Sequence, residues 1–120
     1  MAARFLITSS ALADLETDLE WQAMPAPSPQ PWAEARAALA AASWRLPTAG
    51  ELMTMLNGLP VSLLVAPVAG DVFWSASGSP FARESMVRGV ACESARRFVV
   101  VLLDRGEAAR AWGVRSRARD

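Results

Sequence analysis

The chain opens with a short strand-like pattern, Arg4-Phe-Leu-Ile-Thr-Ser-Ser10, and a second apolar-polar alternation follows at Asp18-Leu-Glu-Trp21. Between residues 22 and 31 four prolines interrupt any regular element, so this stretch is read as an exposed connection. The period then changes. Trp32, Ala35, Leu39 and Ala42 recur at helical spacing behind Pro31, whose missing N–H does no harm in a first turn. A second helix is expected from Thr48. Its T-x-x-E spacing to Glu51 is a capping box, Leu52, Met55, Leu56 and Leu59 form an apolar face, and Asn57-Gly58 supplies the stop.

Beyond the second helix the pattern is that of strands. Residues 59–71 are apolar but broken by Pro60 and Pro67, as in a buried loop or short edge strand. Val72 to Ser77 reads as a strand with Phe73 and Trp74 on opposite faces. The segment 78–97 is ambiguous and loop-rich, with residues 85–92 favouring strand. Phe98 to Asp104 is apolar almost throughout, which predicts a central strand covered on both faces. Arg105-Gly106 suits a hairpin turn into a last strand, where Trp112 and Val114 share one face and Arg115 and Arg117 the other. The expected class is α+β: one domain over residues 1–120, with two helices packed on a small twisted antiparallel sheet.

Composition narrows the chemistry. There is no His, which removes the commonest general base and imidazole metal ligands, and Cys92 is alone, so no internal disulfide can form. A reducing, cytoplasmic setting is favoured over export without a recognisable signal. The apolar run at residues 4–12 is short and interrupted by Thr8, Ser9 and Ser10, and is read as a strand rather than a secretion signal. No stretch approaches the ~20 apolar residues that span a bilayer, so membrane insertion is not expected.

All twelve cationic side chains are Arg. Residues 1–82 hold three Arg and seven acids, whereas residues 83–119 hold nine Arg and four acids. Such an asymmetry serves an anionic partner or pairs the two halves of one fold, and internal pairing is the favoured reading. Arg83, Arg88, Arg96, Arg97 and Arg110 are the candidate ligand-binding residues, since guanidinium groups grip carboxylate, phosphate or sulfate bidentately. Asp14, Glu16, Asp18 and Glu20 alternate as they would on one exposed strand face or in a turn, without the contrasting environments that paired catalytic carboxylates need. A catalytic site, a metal site, a cofactor and a nucleic-acid partner are therefore not expected. Oligomeric state stays open.

Five spaced elements carry a resemblance. Residues 12–22, Pro31 to Ala40, Trp44 to Leu52 (W-R-L-P-T-A-G-E-L), Phe73 to Ser77 and Trp112 to Arg117 resemble, in order, the motifs of the bacterial Lcl C-terminal domain family, found at the end of a collagen-like adhesin. Trp21, Trp32, Trp44, Arg45, Pro47, Thr48, Glu51, Trp74 and Trp112 fall on or beside these motifs. The resemblance implies a C-type-lectin-like fold of the formylglycine-generating-enzyme type, with the chain ends near one another. This chain departs from the family where a Gly is replaced by Asp18 and a Cys by Ser116, and in its longer, Arg-rich segment 78–97. With a single cysteine, formylglycine-generating activity is not expected. The functional expectation is a non-enzymatic recognition module that presents segment 78–97 to a protein or other macromolecular partner, or a lectin-like adhesin domain that binds sulfated or anionic glycans through its Arg-rich face. Within the W-R-L-P-T run, capping explains Thr48 and Glu51 and helix entry explains Pro47. Arg45 is expected to lie partly buried against a carboxylate.

Overall fold

A computed structural model describes residues 4–8, 11–59, 70–78, 86–94 and 97–117. The elements run β1 (Phe5–Ile7), β2 (Ala11–Asp14), β3 (Leu19–Gln22), α1 (Trp32–Ala41), α2 (Ala49–Gly58), β4 (Val72–Gly78), β5 (Met86–Ser94), β6 (Arg97–Asp104) and β7 (Val114–Ser116). The class is α+β, and the strands form two antiparallel sheets rather than the single one expected. One has the order β1-β2-β3-β7 and the other β4-β5-β6. Among the described residues no helix is long and apolar enough to cross a membrane.

The two sheets arise because the last segment leaves β6 instead of turning back along it. Asp104 ends β6, and its carboxylate accepts from the Gly106 amide in the turn. The chain then forms isolated bridges, Ala109 to Gln30 and Arg110 to Phe73, before Trp21 and Val114 pair β7 with β3. Strands from near both ends of the described chain thus share one sheet. β2 was not foreseen as a strand, yet all four of its residues are buried.

Phe73 and Trp74 do lie on opposite faces of β4, and both are completely buried. Phe73 joins Leu12, Trp21, Leu52, Met55, Leu56, Val90, Trp112 and Val114 in one core. Trp74 joins Ala35, Leu39, Leu46, Val87, Ala109 and Ala111 in the other. A one-residue step along one strand therefore anchors both helices, since α2 contributes to the first cluster and α1 to the second. Trp21 meets Trp112 edge to face at 6.2 Å between ring centroids, an arrangement that aromatic quadrupoles favour. The indole N–H groups of Trp74 and Trp112 donate to the carbonyls of Gln30 and Gln22.

β6 corrects an expectation. Among the described residues it is an edge strand, with β5 as its one neighbour, and Val100 and Leu102 are 48% and 41% exposed. Phe98 is buried in the first core and Leu103 packs against the second, but Val100 and Leu102 stay open, so an unbroken apolar run did not mean burial on both faces. Within segment 78–97 the strand expected over residues 85–92 is present as β5, Met86–Ser94. The apolar stretch 60–69 lies outside the described residues.

The acids of the first motif also differ from expectation. Asp14 is fully buried and not on an exposed face, because Arg4 reaches it with two hydrogen bonds of 2.9 Å. Arg4 also donates to the Thr54 carbonyl of α2, passing over Gly58 at a place where any Cβ would collide with its guanidinium. Burial raises the Asp14 pKa, but the Arg4 guanidinium, the Thr17 hydroxyl and the Glu16 amide outweigh it and hold the carboxyl below its ordinary value. The charge asymmetry is absorbed in part by pairing between the halves. Arg115 binds Glu20 at 2.6 Å, Arg110 binds Asp71 at 3.2 Å and Arg117 lies 3.9 Å from Asp18.

Candidate ligand-binding site

The W-R-L-P-T run occupies the junction of the two helices. α1 ends in a Schellman arrangement: the Ser43 amide donates to Ala40, the Trp44 amide donates to Leu39, and Ser43 takes the left-handed φ of 66° usual for glycine. This reversal sends Arg45 into a two-hydrogen-bond bridge with Val114. Trp44 passes so close to Gly113 that a Cβ there would sit 2.8 Å from the Trp44 Cβ. The Arg115 guanidinium lies 3.8 Å from the centre of the Trp44 ring.

Pro47 is buried, and its carbonyl accepts from the Ala76 amide of β4. Thr48 then caps α2. Its hydroxyl accepts from the Glu51 amide at 3.1 Å, and the Glu51 carboxylate accepts from the Thr48 amide at 2.8 Å. Ser77 extends the cap, because its hydroxyl accepts from the Ala49 amide. Buried Ser75 donates to the Arg88 carbonyl and accepts from the Ser77 amide. The strand motif Trp74-Ser75-Ala76-Ser77 thus locks onto the W-R-L-P-T run through hydrogen bonds.

Arg45 donates through both terminal nitrogens to the two oxygens of Glu51, at 2.8 and 2.9 Å. The expected carboxylate partner is there, but the side chain is 48% exposed, more open than expected. The Arg45 guanidinium, with the Thr48 hydrogen bonds, holds Glu51 below the usual carboxylate range against the opposing effect of burial. The Glu51 carboxylate raises Arg45 in turn.

Beside this pair a cleft of about 410 Å³ is lined by Trp32, Arg36, Ala40, Arg45, Leu46, Thr48 and Ala76. Pockets of this size accommodate small ligands. Trp32 is pinned at the mouth of α1: its backbone amide donates to the Arg105 carbonyl and its indole N–H to the Ser75 carbonyl. The Arg36 and Arg105 guanidinium groups stand 5.2 and 4.6 Å from its ring centroid. Among the described residues neither has a carboxylate partner within 4.0 Å. The lining thus combines apolar surface with the guanidinium of Arg36.

Three of the five arginines expected to bind ligand fall within the described residues. Arg83 and Arg96 lie outside the described residues. Arg97 pairs with Glu93 across the end of the β5–β6 hairpin, and Arg88 sits within β5. Arg110 is a structural tie, donating to the Ala26 carbonyl and Asp71 and lying over Phe73. The cleft arginine that sequence reading missed, Arg36, stands four residues after Trp32 on one helix, a spacing that was legible. Arg105 reaches the same ring from far along the chain and left no local signal. Among the described residues no group of three or more His, Cys, Asp or Glu could hold a metal ion.

Comparison with known proteins adds no assignment, for the chain matches no protein-family model and no curated protein.

Proposed function

We propose that this protein is a non-enzymatic recognition module and that its binding surface is the Trp32–Arg36–Arg45 cleft. The observation that carries the reading is the cleft itself: about 410 Å³, with a pinned indole on one side and, in Arg36, a guanidinium that no described carboxylate neutralises. Segment 78–97, the surface favoured by sequence alone, offers in its described part a strand pair and the Arg97–Glu93 contact.

The proposed fold family is the C-type-lectin-like one, of the Lcl C-terminal kind. Two features support it: strands near both chain ends share a sheet, and the W-R-L-P-T and W-S-A-S motifs are joined by the Ala76–Pro47 and Ala49–Ser77 hydrogen bonds. In this reading the motif residues build the cleft and the family's structural signature doubles as the frame of a site.

The test is a solution NMR screen of small anions, neutral fragments and short peptides against the 15N-labelled protein. Ligands are expected to shift resonances of Trp32, Leu46, Thr48 and Ala76 as a group. Hits confined to the β5–β6 hairpin, or chemical turnover of a bound compound, would contradict the reading.

A further inference from the structure

Resting on the recognition reading above, the geometry points to an organic monocarboxylate carried on an apolar body as the ligand class of the Trp32 cleft. Charge count along the lining decides the anion. Arg45 and Glu51 neutralise one another through a two-point contact, and both terminal nitrogens of Arg45 are already engaged. Arg36 is left with one full positive charge and a planar fork of donors, stacked against the face of the Trp32 ring. A single carboxylate matches that fork and cancels that charge. A dianion such as phosphate or sulfate would bring a second negative charge toward Glu51, and the other unpaired guanidinium near Trp32, that of Arg105, does not line the cleft.

The rest of the cleft defines the body of the ligand. Ala40, Leu46, Ala76 and the ring of Trp32 present apolar surface, and the Trp32 indole N–H is occupied by Ser75. Little hydrogen-bonding capacity is left on that side, so an apolar group is favoured over a polyhydroxylated one, whose hydroxyls would lose water without replacement. The chemistry fits a free small carboxylic acid and equally the terminal carboxylate of a polypeptide that ends in an apolar residue.

The experiment titrates the intact 15N-labelled chain and follows the Trp32 indole resonance, assigned with Trp32→Phe. The probes are phenylacetate, phenylacetamide, phenyl phosphate, and a tripeptide ending in phenylalanine with a free or an amidated C-terminus. Phenylacetate is expected to move the Trp32 resonance and to bind at least tenfold more tightly than phenylacetamide. Arg36→Gln, an exposed substitution, should remove that advantage while leaving the remaining spectrum unchanged. Tighter binding of the free-acid peptide than of phenylacetate assigns the carboxylate to a polypeptide end, and the opposite order assigns it to a small molecule. Equal binding of acid and amide, or stronger binding of phenyl phosphate, overturns the carboxylate inference while leaving the cleft as a recognition surface. If no probe moves Trp32 and all bind elsewhere, both fall.

Discussion

Removing the guanidinium of Arg4 strands a carboxylate inside the first core. Asp14 is buried to 1% of its side-chain surface, and Arg4, 21% exposed, supplies the paired hydrogen bonds that make an ionised group tolerable there. Breaking a buried pair by deleting one partner typically costs about 3–5 kcal/mol, because the remaining charge is left uncompensated. Arg4→Met keeps the apolar stem, so the loss reports the charge and not the packing. For a domain of this length about 3 kcal/mol corresponds to a fall in Tm of roughly 12 °C, a large share of a total stability of about 5–15 kcal/mol.

The pH dependence gives the sharper test. In the native protein the folded pKa of Asp14 is depressed, so its ionisation stabilises the fold above the unfolded value of about 3.9. That contribution is lost as pH falls through the lower folded value. In Arg4→Met burial acts without the guanidinium and raises the Asp14 pKa, so the variant gains stability as pH drops and the carboxyl becomes neutral. Urea denaturation from pH 7 to pH 3 should therefore show a gap of about 3 kcal/mol that narrows on acidification. Arg4→Met combined with Asp14→Asn should recover much of the loss at pH 7. A gap that is constant with pH, or a double variant no better than Arg4→Met, would refute the charge argument.

Other substitutions test the junction that frames the cleft. Ser43→Gly removes a left-handed strain of about 1–2 kcal/mol for an L-residue, offset in part by about 0.4–1 kcal/mol of unfolded-state entropy, and a small rise in Tm is expected by calorimetry. Gly113→Ala forces a methyl group against Trp44 and Leu39 and should cost about 1–3 kcal/mol, read as a lower urea midpoint with an unchanged slope. Thr48→Ala loses the cap hydroxyl and should cost about 1 kcal/mol. Glu51→Gln at pH 7 should release Arg45, weaken the cap and change the affinity of the cleft for anions, measured by calorimetric titration of phenylacetate.

Local chemistry was legible from the sequence and long-range placement was not. The Thr48–Glu51 box is complete within four residues, and the Phe73/Trp74 division follows from the strand period alone. Arg45 was correctly given a carboxylate, because Glu51 lies one helical turn into the element that the same motif starts. Asp14 was misplaced because its partner Arg4 comes from the neighbouring strand region, and alternation by itself does not distinguish a buried ion pair from a solvated face. β6 was misplaced for a similar reason: six consecutive apolar residues make a strand, but the sheet order decides whether it is central. Asp18 is instructive in another way. It takes a left-handed φ of 60° in the turn between β2 and β3, in a residue type that tolerates that conformation. The cleft could not be read in advance because its walls come from α1, the junction after it and β4.

The most direct measurement of the central claim is a set of intermolecular nuclear Overhauser effects between bound phenylacetate and the protein. Contacts from the phenyl ring to the methyl groups of Ala40, Leu46 and Ala76, abolished by Arg36→Gln, are the predicted result. Saturable binding with its contacts on Val100 and Leu102 of β6, and none in the cleft, would contradict it.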